Sequence, residues 1–277
     1  MIIHRLRSYD EYMTHSGKMG ADYSFRNNFE NTSRRNRRSS FKFSGFSYTA
    51  KKFVDFDVFP DGKNINWRET IICPVTQLNN RCRAAIHLLD SELGLRKDDE
   101  VYITEQVTPL YNYLLNHHDK LTGSEYLGSS HDVSEKGLRN EDLTHLSFED
   151  NSFDIVMSFD CLEHIPDFES AIQQIYRVLK PGGRIMWTVP FRSDLSKNLI
   201  RSSLSKDGDI IHHHPPEYHG DPINSKGCLC FTHFGWEMLN QVKGAGFSDA
   251  YAVVYWSDIF GYLGNEQFLF VANKLIV

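Results

Sequence analysis

Hydrophobic positions along the chain change their spacing near residue 77. Before it, aliphatic residues are sparse, and residues 41–59 alternate between apolar and polar positions, which predicts a small hairpin of one or two short strands. After it, apolar residues at helical spacing predict a helix that ends at Gly94. We therefore predict an irregular or β-rich N-terminal appendage over residues 1–95 and a larger domain over residues 96–277.

In the larger domain, short apolar runs alternate with helical patterns. This alternation predicts an α/β fold, with parallel strands and with helices on both faces of the sheet. Ligands in such sheets bind beyond the carboxyl ends of the strands. Strands are expected at 100–105, 121–127, 140–146, 153–160, 184–190, 249–256 and 266–274, and helices at 109–118, 167–180 and 234–244. Thr108 and Asp167 are placed to cap the first two of these helices.

Composition narrows the class of protein. The 277 residues carry a net charge of −6, which argues against nucleic acid or an anionic membrane as the main partner. The arginine-rich run Ser33–Arg38 is a local exception, open to interpretation as a solvated loop or as a phosphate contact. No apolar run approaches the ~18 residues of a membrane span, and the N-terminus lacks the apolar segment of a signal peptide. Five cysteines suggest no disulfide framework, so a cytoplasmic location is expected.

The stretch LSFEDNSFDIVMSFDCLEHIPDFESAIQQIYRVLKPGGRIMWTVPF, residues 146–191, closely resembles the second half of class I S-adenosylmethionine-dependent methyltransferases. Its Leu-Glu-His and Leu-Lys-Pro-Gly-Gly segments are typical of the small-molecule branch, the type 11 methyltransferase domains. The resemblance extends from about residue 98 to the C-terminus. It implies a Rossmann-like, seven-stranded, mostly parallel sheet whose last strand is antiparallel, and S-adenosyl-L-methionine as the cofactor.

The resemblance also implies a set of cofactor-binding residues. Glu125 matches the acid that accepts hydrogen bonds from the ribose hydroxyls, and Asp142 matches the acid beside the adenine amino group. Each is alternatively a surface carboxylate. Phe159 and Asp160 match positions at the methionine end of the cofactor, although core packing explains Phe159 equally well. The rest of the predicted cofactor set is Glu105, Gln106, Thr108, Tyr126 and Leu143.

The first loop departs from the family pattern. In VYITEQVTPLYNYL, residues 101–114, Glu105, Val107 and Pro109 stand where the family has glycines. Glycine permits unusual dihedral angles and a close approach of the cofactor to the backbone, which valine and proline do not. Thr108 and Pro109 nevertheless begin a helix well, and its N-terminus would point at the cofactor. The carboxylate of Glu105 is expected to face either the cofactor or the acceptor.

The appendage resembles a zinc ribbon that precedes some methyltransferases of this kind. The four ligand positions hold Ser47, Ala50, Cys73 and Thr76, and a lone thiolate cannot hold a structural zinc ion. We therefore predict a hairpin without a metal and expect no metal site in the chain. The helix that follows begins with Asn79, Asn80, Arg81 and Arg83, which either face the cofactor cleft or serve as caps and surface charges.

Three histidines are candidates for a catalytic base, because histidine titrates near neutral pH. His164 follows the predicted strand 153–160. His214 and His219 lie in DIIHHHPPEYHGDP, residues 209–222, in the insertion that overhangs the acceptor side in this fold. That segment is open to interpretation as a polar surface loop, as a lid that contains the base, or as a divalent metal site.

The favoured hypothesis is a methyltransferase enzyme that acts on an oxygen of a small molecule. A saccharide or nucleotide-sugar of surface-polysaccharide biosynthesis is the expected acceptor, with no nucleic-acid partner. The alternative is a non-catalytic methyltransferase-like binding protein with lost or altered cofactor binding, which the first loop favours. An RNA methyltransferase is disfavoured by the negative charge and by the absence of an Asn/Asp-Pro-Pro-Tyr-type motif after the predicted strand 153–160.

Overall fold

The computed structural model describes residues 1–34, 39–60, 65–128 and 137–276. Residues 35–38 lie outside these ranges, so the phosphate contact considered for Ser33–Arg38 stays a prediction. No helix among the described residues is both long enough and apolar enough to cross a membrane.

The helices and strands of the described ranges are numbered here in chain order. The α-helices are α1 (Tyr9–Lys18), α2 (Gly20–Arg34), α3 (Trp67–Thr70), α4 (Asn80–Leu88), α5 (Pro109–Leu115), α6 (Phe168–Val178) and α7 (Glu237–Gly244). A π-helical turn spans Leu89–Leu93, and a 3₁₀ turn spans Leu162–His164. The strands are β1 (Ile2–Leu6), β2 (Phe41–Ser47), β3 (Lys52–Val58), β4 (Ile71–Ile72), β5 (Val101–Ile103), β6 (Leu121–Gly123), β7 (Phe153–Phe159), β8 (Leu179–Thr188), β9 (Leu199–Ile200), β10 (Ser202–Leu204), β11 (Ile210–His212), β12 (Tyr218–His219), β13 (Cys228–Leu229), β14 (Thr232–His233), β15 (Asp249–Ser257) and β16 (Tyr262–Asn273).

The largest sheet of the described residues has seven strands in the order β1-β15-β16-β8-β7-β5-β6. Strands β6, β5, β7 and β8 pair in parallel, and β16 runs antiparallel to β8. The predicted α/β class, with a mostly parallel Rossmann-like sheet and an antiparallel last strand, is therefore confirmed. Strand β7 is buried at nearly every position, as expected for a strand covered on both faces.

The predicted strand at 140–146 is wrong. Asn140 makes only an isolated bridge to Glu125, and a turn follows. The turn forms because Oδ1 of Asp142 accepts hydrogen bonds from the backbone N–H and the hydroxyl of Thr144, at 2.8 and 2.7 Å. The seventh strand is β1, which pairs antiparallel with β15. The sequence did not reveal β1, since its partner lies at the other end of the chain.

Helix α6 follows its sequence signals closely. Its N-cap is Asp167, whose carboxylate accepts a hydrogen bond from the Ser170 N–H at 3.0 Å. Its apolar residues follow helical spacing and are buried, at Phe168, Ala171, Ile172, Ile175 and Val178. The helix ends at Val178, two residues earlier than predicted, because Leu179 already belongs to β8.

The N-terminal region is more regular than expected. The hairpin predicted within 41–59 is confirmed as the antiparallel pair β2 and β3. Helices α1 and α2 were missed, because they carry no apolar stripe: α1 has no buried residue, and α2 buries Arg26 and Glu30. Glu30 accepts hydrogen bonds from the indole of Trp256 and from the Gly264 N–H, at 3.1 and 2.7 Å. A buried carboxylate with such partners gives no signal in hydrophobic spacing.

The four ribbon positions form a polar cluster. The Ser47 hydroxyl lies 3.3 Å from the Cys73 sulfur and 3.2 Å from the Thr49 hydroxyl, and it accepts a hydrogen bond from the Ala50 N–H. The Thr49 hydroxyl in turn lies 3.2 Å from that of Thr76. Burial raises the pKa of Cys73, but hydrogen bonds from Ser47 and Thr76 outweigh it, and the net pKa is lowered. Hydroxyls and a thiol thus connect the positions that zinc ligands hold in the ribbon.

The chain divides into two compact units. The first comprises Met1–Leu6, Asp10–Leu95 and Ala252–Leu269, and the second comprises Arg7–Tyr9, Arg96–Tyr251 and Phe270–Val277. Residues 252–269 thus group with the N-terminal segment, whereas every predicted cofactor and catalytic residue belongs to the second unit.

The polar residues at the start of α4 form hydrogen bonds with other residues of the first unit. Asn79 caps the helix by accepting a hydrogen bond from the Cys82 N–H. Asn80 donates to the carbonyl oxygens of Trp67 and Leu263, at 3.0 and 2.9 Å, and Arg83 donates to that of Phe260 at 2.7 Å. Asn80 and Arg83 are fully buried, so these hydrogen bonds anchor both side chains among residues of the first unit.

Candidate active site

The carboxyl ends of β5, β6, β7 and β8 meet at one edge of the sheet in the second unit. The predicted cofactor residues lie just after the first three of these strands or, for Asp142 and Leu143, in the turn that follows Asn140. The topology therefore places the predicted site at the edge where parallel α/β sheets bind ligands.

Glu125, after β6, holds the loop that follows β5. Its Oε1 atom accepts hydrogen bonds from the backbone N–H groups of Gln106 and Val107, at 2.6 and 3.0 Å. Burial raises the pKa of Glu125, the two N–H groups partly offset that rise, and the nearby Asp221 adds to it. One oxygen of Glu125, the residue expected to bind the ribose, is thus hydrogen-bonded to the loop after β5, which lacks glycine.

Side chains, rather than glycine, fix this first loop. Oε1 of Gln106 accepts a hydrogen bond from the Arg139 N–H at 2.9 Å. Thr108 caps α5 by accepting one from the Tyr111 N–H at 3.1 Å, and Pro109 occupies the first turn of that helix. The loop is therefore an ordered, capped start of a helix.

The neighbouring strand β6 ends in a glycine, Gly123, whose position has no room for a side chain. A Cβ atom at Gly123 would lie 2.4 Å from the ring of Tyr111 and 2.8 Å from the carbonyl oxygen of Glu105. The end of β6 and the loop after β5 are thus packed so closely that only glycine fits between them.

The acids after Asn140 have structural partners. Asp142 is half-buried and stabilises its turn through Thr144, and Leu143 is buried. Glu141, which the sequence analysis did not single out, is buried and accepts hydrogen bonds from Arg139 Nε and from the N–H and hydroxyl of Ser147. Both carboxylate oxygens of Glu141 therefore accept hydrogen bonds, and Glu141 is adjacent to Asp142, the acid predicted to lie beside the adenine.

Three further predicted residues differ in exposure. Phe159 is buried at the end of β7, whereas Tyr126 is 66% exposed. Asp160 adopts a left-handed conformation, with φ of 46°, and its Oδ1 accepts a hydrogen bond from the Thr188 hydroxyl at 2.9 Å. Strained residues of this kind concentrate at functional sites, and Asp160 lies at the carboxyl edge where the candidate site is expected.

Two carboxylates act on the thiol of Cys161. Burial raises the pKa of Cys161 to about 12, and the negative charges of Glu163 and Glu105 add to that rise.

The structure brings two of the three candidate histidines together. The rings of His164 and His219 lie 5.0 Å apart, edge to face. His164 Nδ1 donates a hydrogen bond to the Leu229 carbonyl oxygen at 2.8 Å, so its neutral tautomer has a lone pair on Nε2. His214 is exposed and makes no ring contact with either histidine among the described residues.

Carboxylates surround His219. Its Nδ1 lies 3.4 Å from Oε1 of Glu163, and its Nε2 lies 3.0 Å from Oε1 of Glu217, which also contacts His233 Nε2 at 3.0 Å. The thiol of Cys230, followed by the carboxylates of Glu163 and Glu217, raises the pKa of His219 to about 11 despite burial. Glu163, which stands in the Leu-Glu-His segment, was not among the predicted site residues.

A family model described as a methyltransferase domain matches residues 116–187. This match confirms the resemblance drawn from residues 146–191 and includes Glu125, Asp160 and His164. The matched segment contains strands β6, β7 and β8.

Individual relatives match shorter or more divergent segments. Phosphoethanolamine N-methyltransferase 2 of Caenorhabditis elegans is 57% identical over 42 residues, which cover 15% of this chain and 10% of that protein. A ubiquinone/menaquinone biosynthesis C-methyltransferase of Vibrio cholerae is 36% identical over 106 residues, which cover 36% of this chain and 38% of that protein. The chain thus spans well under half of the length of these relatives.

Among solved structures, a methyltransferase of Methanosarcina mazei has a TM-score of 0.41 and 15% identity, over 68% of this chain and 97% of that one. Phosphoethanolamine N-methyltransferase 2 of Haemonchus contortus also scores 0.41, with 15% identity, over 69% of this chain and 53% of that one. Scores at this level are too low to support an inference.

Proposed function

We propose that this protein is an S-adenosylmethionine-dependent methyltransferase that methylates an oxygen of a small acceptor. A saccharide or nucleotide-sugar of cytoplasmic surface-polysaccharide biosynthesis is the acceptor we favour. The observation that carries the proposal is the methyltransferase-domain match over residues 116–187, which spans the carboxyl edge where Glu125 and His164 lie. The five free cysteines are consistent with a reducing cytoplasm.

The residues at this edge fit the cofactor through carboxylates. Oε2 of Glu125 accepts no hydrogen bond from a described residue, so it is available to the ribose hydroxyls, while Oε1 holds the first loop. Asp142 is half-buried beside the buried Leu143, as suits the adenine end. The backbone cradle that glycines form is not present, which leaves Glu125 as the main anchor.

Methyl transfer to a hydroxyl requires alignment and the removal of one proton. The cofactor supplies a methyl group already activated on its sulfonium, so the protein's task is to orient the acceptor and take its proton. His164 suits that task, because its Nδ1–H is fixed by Leu229 and its Nε2 carries the lone pair. His219 suits it less, since its contacts with Cys230, Glu163 and Glu217 raise its pKa to about 11 and favour the protonated form when no cation is bound.

The acceptor side is polar. Glu163, Glu217 and the imidazoles of His164, His219 and His233 lie together after β7. Carboxylates and imidazoles can both accept hydrogen bonds from hydroxyls, which favours a hydroxyl-rich acceptor. Relatives named for sterol and quinone substrates act on more apolar molecules, so the acceptor is expected to differ from theirs.

Calorimetric titration with S-adenosylmethionine and S-adenosylhomocysteine tests the first half of the proposal. We expect saturable binding of both, weakened in Glu125→Gln and unchanged in Glu149→Gln, whose side chain is exposed. A panel of nucleotide-sugars, with S-adenosylhomocysteine release as the readout, then tests the acceptor class. An absence of heat at millimolar ligand would instead favour the non-catalytic binding protein.

A further inference from the structure

Glu163 is a buried acid without hydrogen bonds. The residue is 0% exposed, and neither Oε1 nor Oε2 has a hydrogen-bond partner among residues 1–34, 39–60, 65–128 and 137–276. A buried carboxylate normally accepts several hydrogen bonds, because leaving it unpaired is costly. The position therefore calls for a charged partner.

Two imidazoles lie at the spacing of ligands on one ion. Oε1 of Glu163 is 3.6 Å from Nε2 of His164 and 3.4 Å from Nδ1 of His219. Two donors that each lie about 2.0–2.1 Å from a tetrahedral zinc ion are about 3.3 Å apart. All three donor atoms lie within 4.8 Å of one another. These distances are long for hydrogen bonds and suit a shared cation.

Both imidazoles are held as metal-binding histidines are. His164 donates its other ring N–H to the Leu229 carbonyl at 2.8 Å, and the other nitrogen of His219 contacts the Glu217 carboxylate at 3.0 Å. Such partners fix the tautomer and turn the free nitrogen toward the metal. Glu217 is itself held by His233 and Arg201, so this support is rigid.

Other donors nearby are less suited. Glu217, His219 and Cys230 also lie within reach of one ion, but Glu217 already has three partners and the Cys230 thiol donates to the Thr232 carbonyl. His212 and His213 are exposed and bonded to the hydroxyls of Ser202 and Ser203. Glu163 is the one carboxylate of this cluster whose oxygens lack hydrogen-bond partners in the described part of the chain.

We infer that Glu163, His164 and His219 form a binding site for a divalent cation of the zinc class. Two imidazoles and one carboxylate leave a fourth position for water or for an acceptor hydroxyl. The ion would tie the loop that carries His219 to the 3₁₀ turn after β7. It would also occupy the Nε2 lone pair proposed as the base, and would instead make a bound acceptor hydroxyl more acidic, so that its proton passes to solvent water. The site itself does not depend on methyl transfer.

Metal binding is measured directly. Protein stripped with a chelator is titrated with Zn²⁺ against a competing chelator, and Co²⁺ serves as a visible probe of tetrahedral coordination. We expect one equivalent in the wild-type protein, and an affinity at least ~100-fold lower in Glu163→Gln and His219→Asn. Two control variants should still bind one equivalent of metal. His213→Asn removes an exposed histidine of the same segment, and Cys73→Ser removes the ribbon cysteine.

Two results overturn the inference. One is a wild-type protein that binds no stoichiometric Zn²⁺ or Co²⁺, in which case a proton on His219 is the partner of Glu163. The other is wild-type affinity in the Glu163 and His219 variants. Should these variants fail to fold by circular dichroism, X-ray absorption of the zinc-loaded wild type decides: nitrogen and oxygen ligands support the site, and a sulfur ligand refutes it.

Discussion

The Glu125 carboxylate accepts a 2.6 Å hydrogen bond from the backbone N–H of Gln106, in the loop where methyltransferases of this class usually have glycines. The same oxygen binds the Val107 N–H, so one acid shapes the backbone that a cofactor would approach. Where Glu105, Val107 and Pro109 stand in place of glycines, Glu125 therefore supports the loop.

Glu125 should contribute to both stability and cofactor binding. Glu125→Ala leaves two backbone N–H groups without their acceptor, so we expect the free energy of unfolding to fall by about 1–3 kcal/mol. Glu125→Gln keeps an acceptor oxygen but loses the charge, and the affinity for S-adenosylmethionine should fall about tenfold. Urea denaturation and calorimetry measure the two effects. An alanine variant as stable as wild type would show that the loop does not rely on Glu125.

Gly123 should not tolerate a side chain. In Gly123→Ala the new methyl group meets the Tyr111 ring and the carbonyl oxygen of Glu105, and the backbone oxygen cannot swing away. Overpacking of this kind costs about 1–3 kcal/mol, which a lower denaturation midpoint would reveal. Gly244→Ala is the matched control, because nothing lies within 4 Å of its Cβ position and alanine suits a helix. Equal midpoints for the two variants would contradict the close packing.

Asp167 should stabilise α6 in a pH-dependent way. Its hydrogen bonds with the hydroxyl and N–H of Ser170 lower its pKa below the usual 3.8. Since the folded pKa is the lower one, the stabilisation is complete above the unfolded pKa and is lost as the pH falls through the folded value. Asp167→Ala should therefore cost about 1 kcal/mol near neutral pH and progressively less below about pH 4. Denaturation curves across this range, with the exposed Asp207→Ala as control, test it; a constant difference would be inconsistent with capping by the carboxylate.

Ser47 should stabilise the first unit. Ser47→Ala removes the partner of the Cys73 thiol, the Thr49 hydroxyl and the Ala50 N–H, all at a buried position. We expect a loss of about 1–3 kcal/mol in thermal or urea unfolding. Ser44→Ala, on the same strand, removes an exposed hydrogen bond to Asp55 and should change stability little. If both variants behave alike, the buried cluster has no special role.

Local signals in the sequence were sufficient for much of the fold. The stripe of α6, its cap at Asp167 and the start of α5 at Thr108 all depend on neighbours within one turn, so the sequence displays them directly. The hairpin of β2 and β3 is likewise set by local alternation. The departure from glycine at Glu105, Val107 and Pro109 was also visible in the sequence, but the support that Glu125 gives this loop was not.

Contacts between distant segments decided the rest. Strand β1 exists because it pairs with β15, and α2 buries Glu30 because Trp256 and Gly264 supply its hydrogen bonds. Likewise, the sequence nominated His164 and His219 separately, and only the folded chain brings them to Glu163. A buried charge is stable only where the folded chain supplies its partners. Those partners are distant in the sequence, so the spacing of hydrophobic residues does not predict them. The sequence by itself determined the methyltransferase-like sheet and the edge where binding is expected, whereas tertiary structure alone decided which acids and histidines meet there.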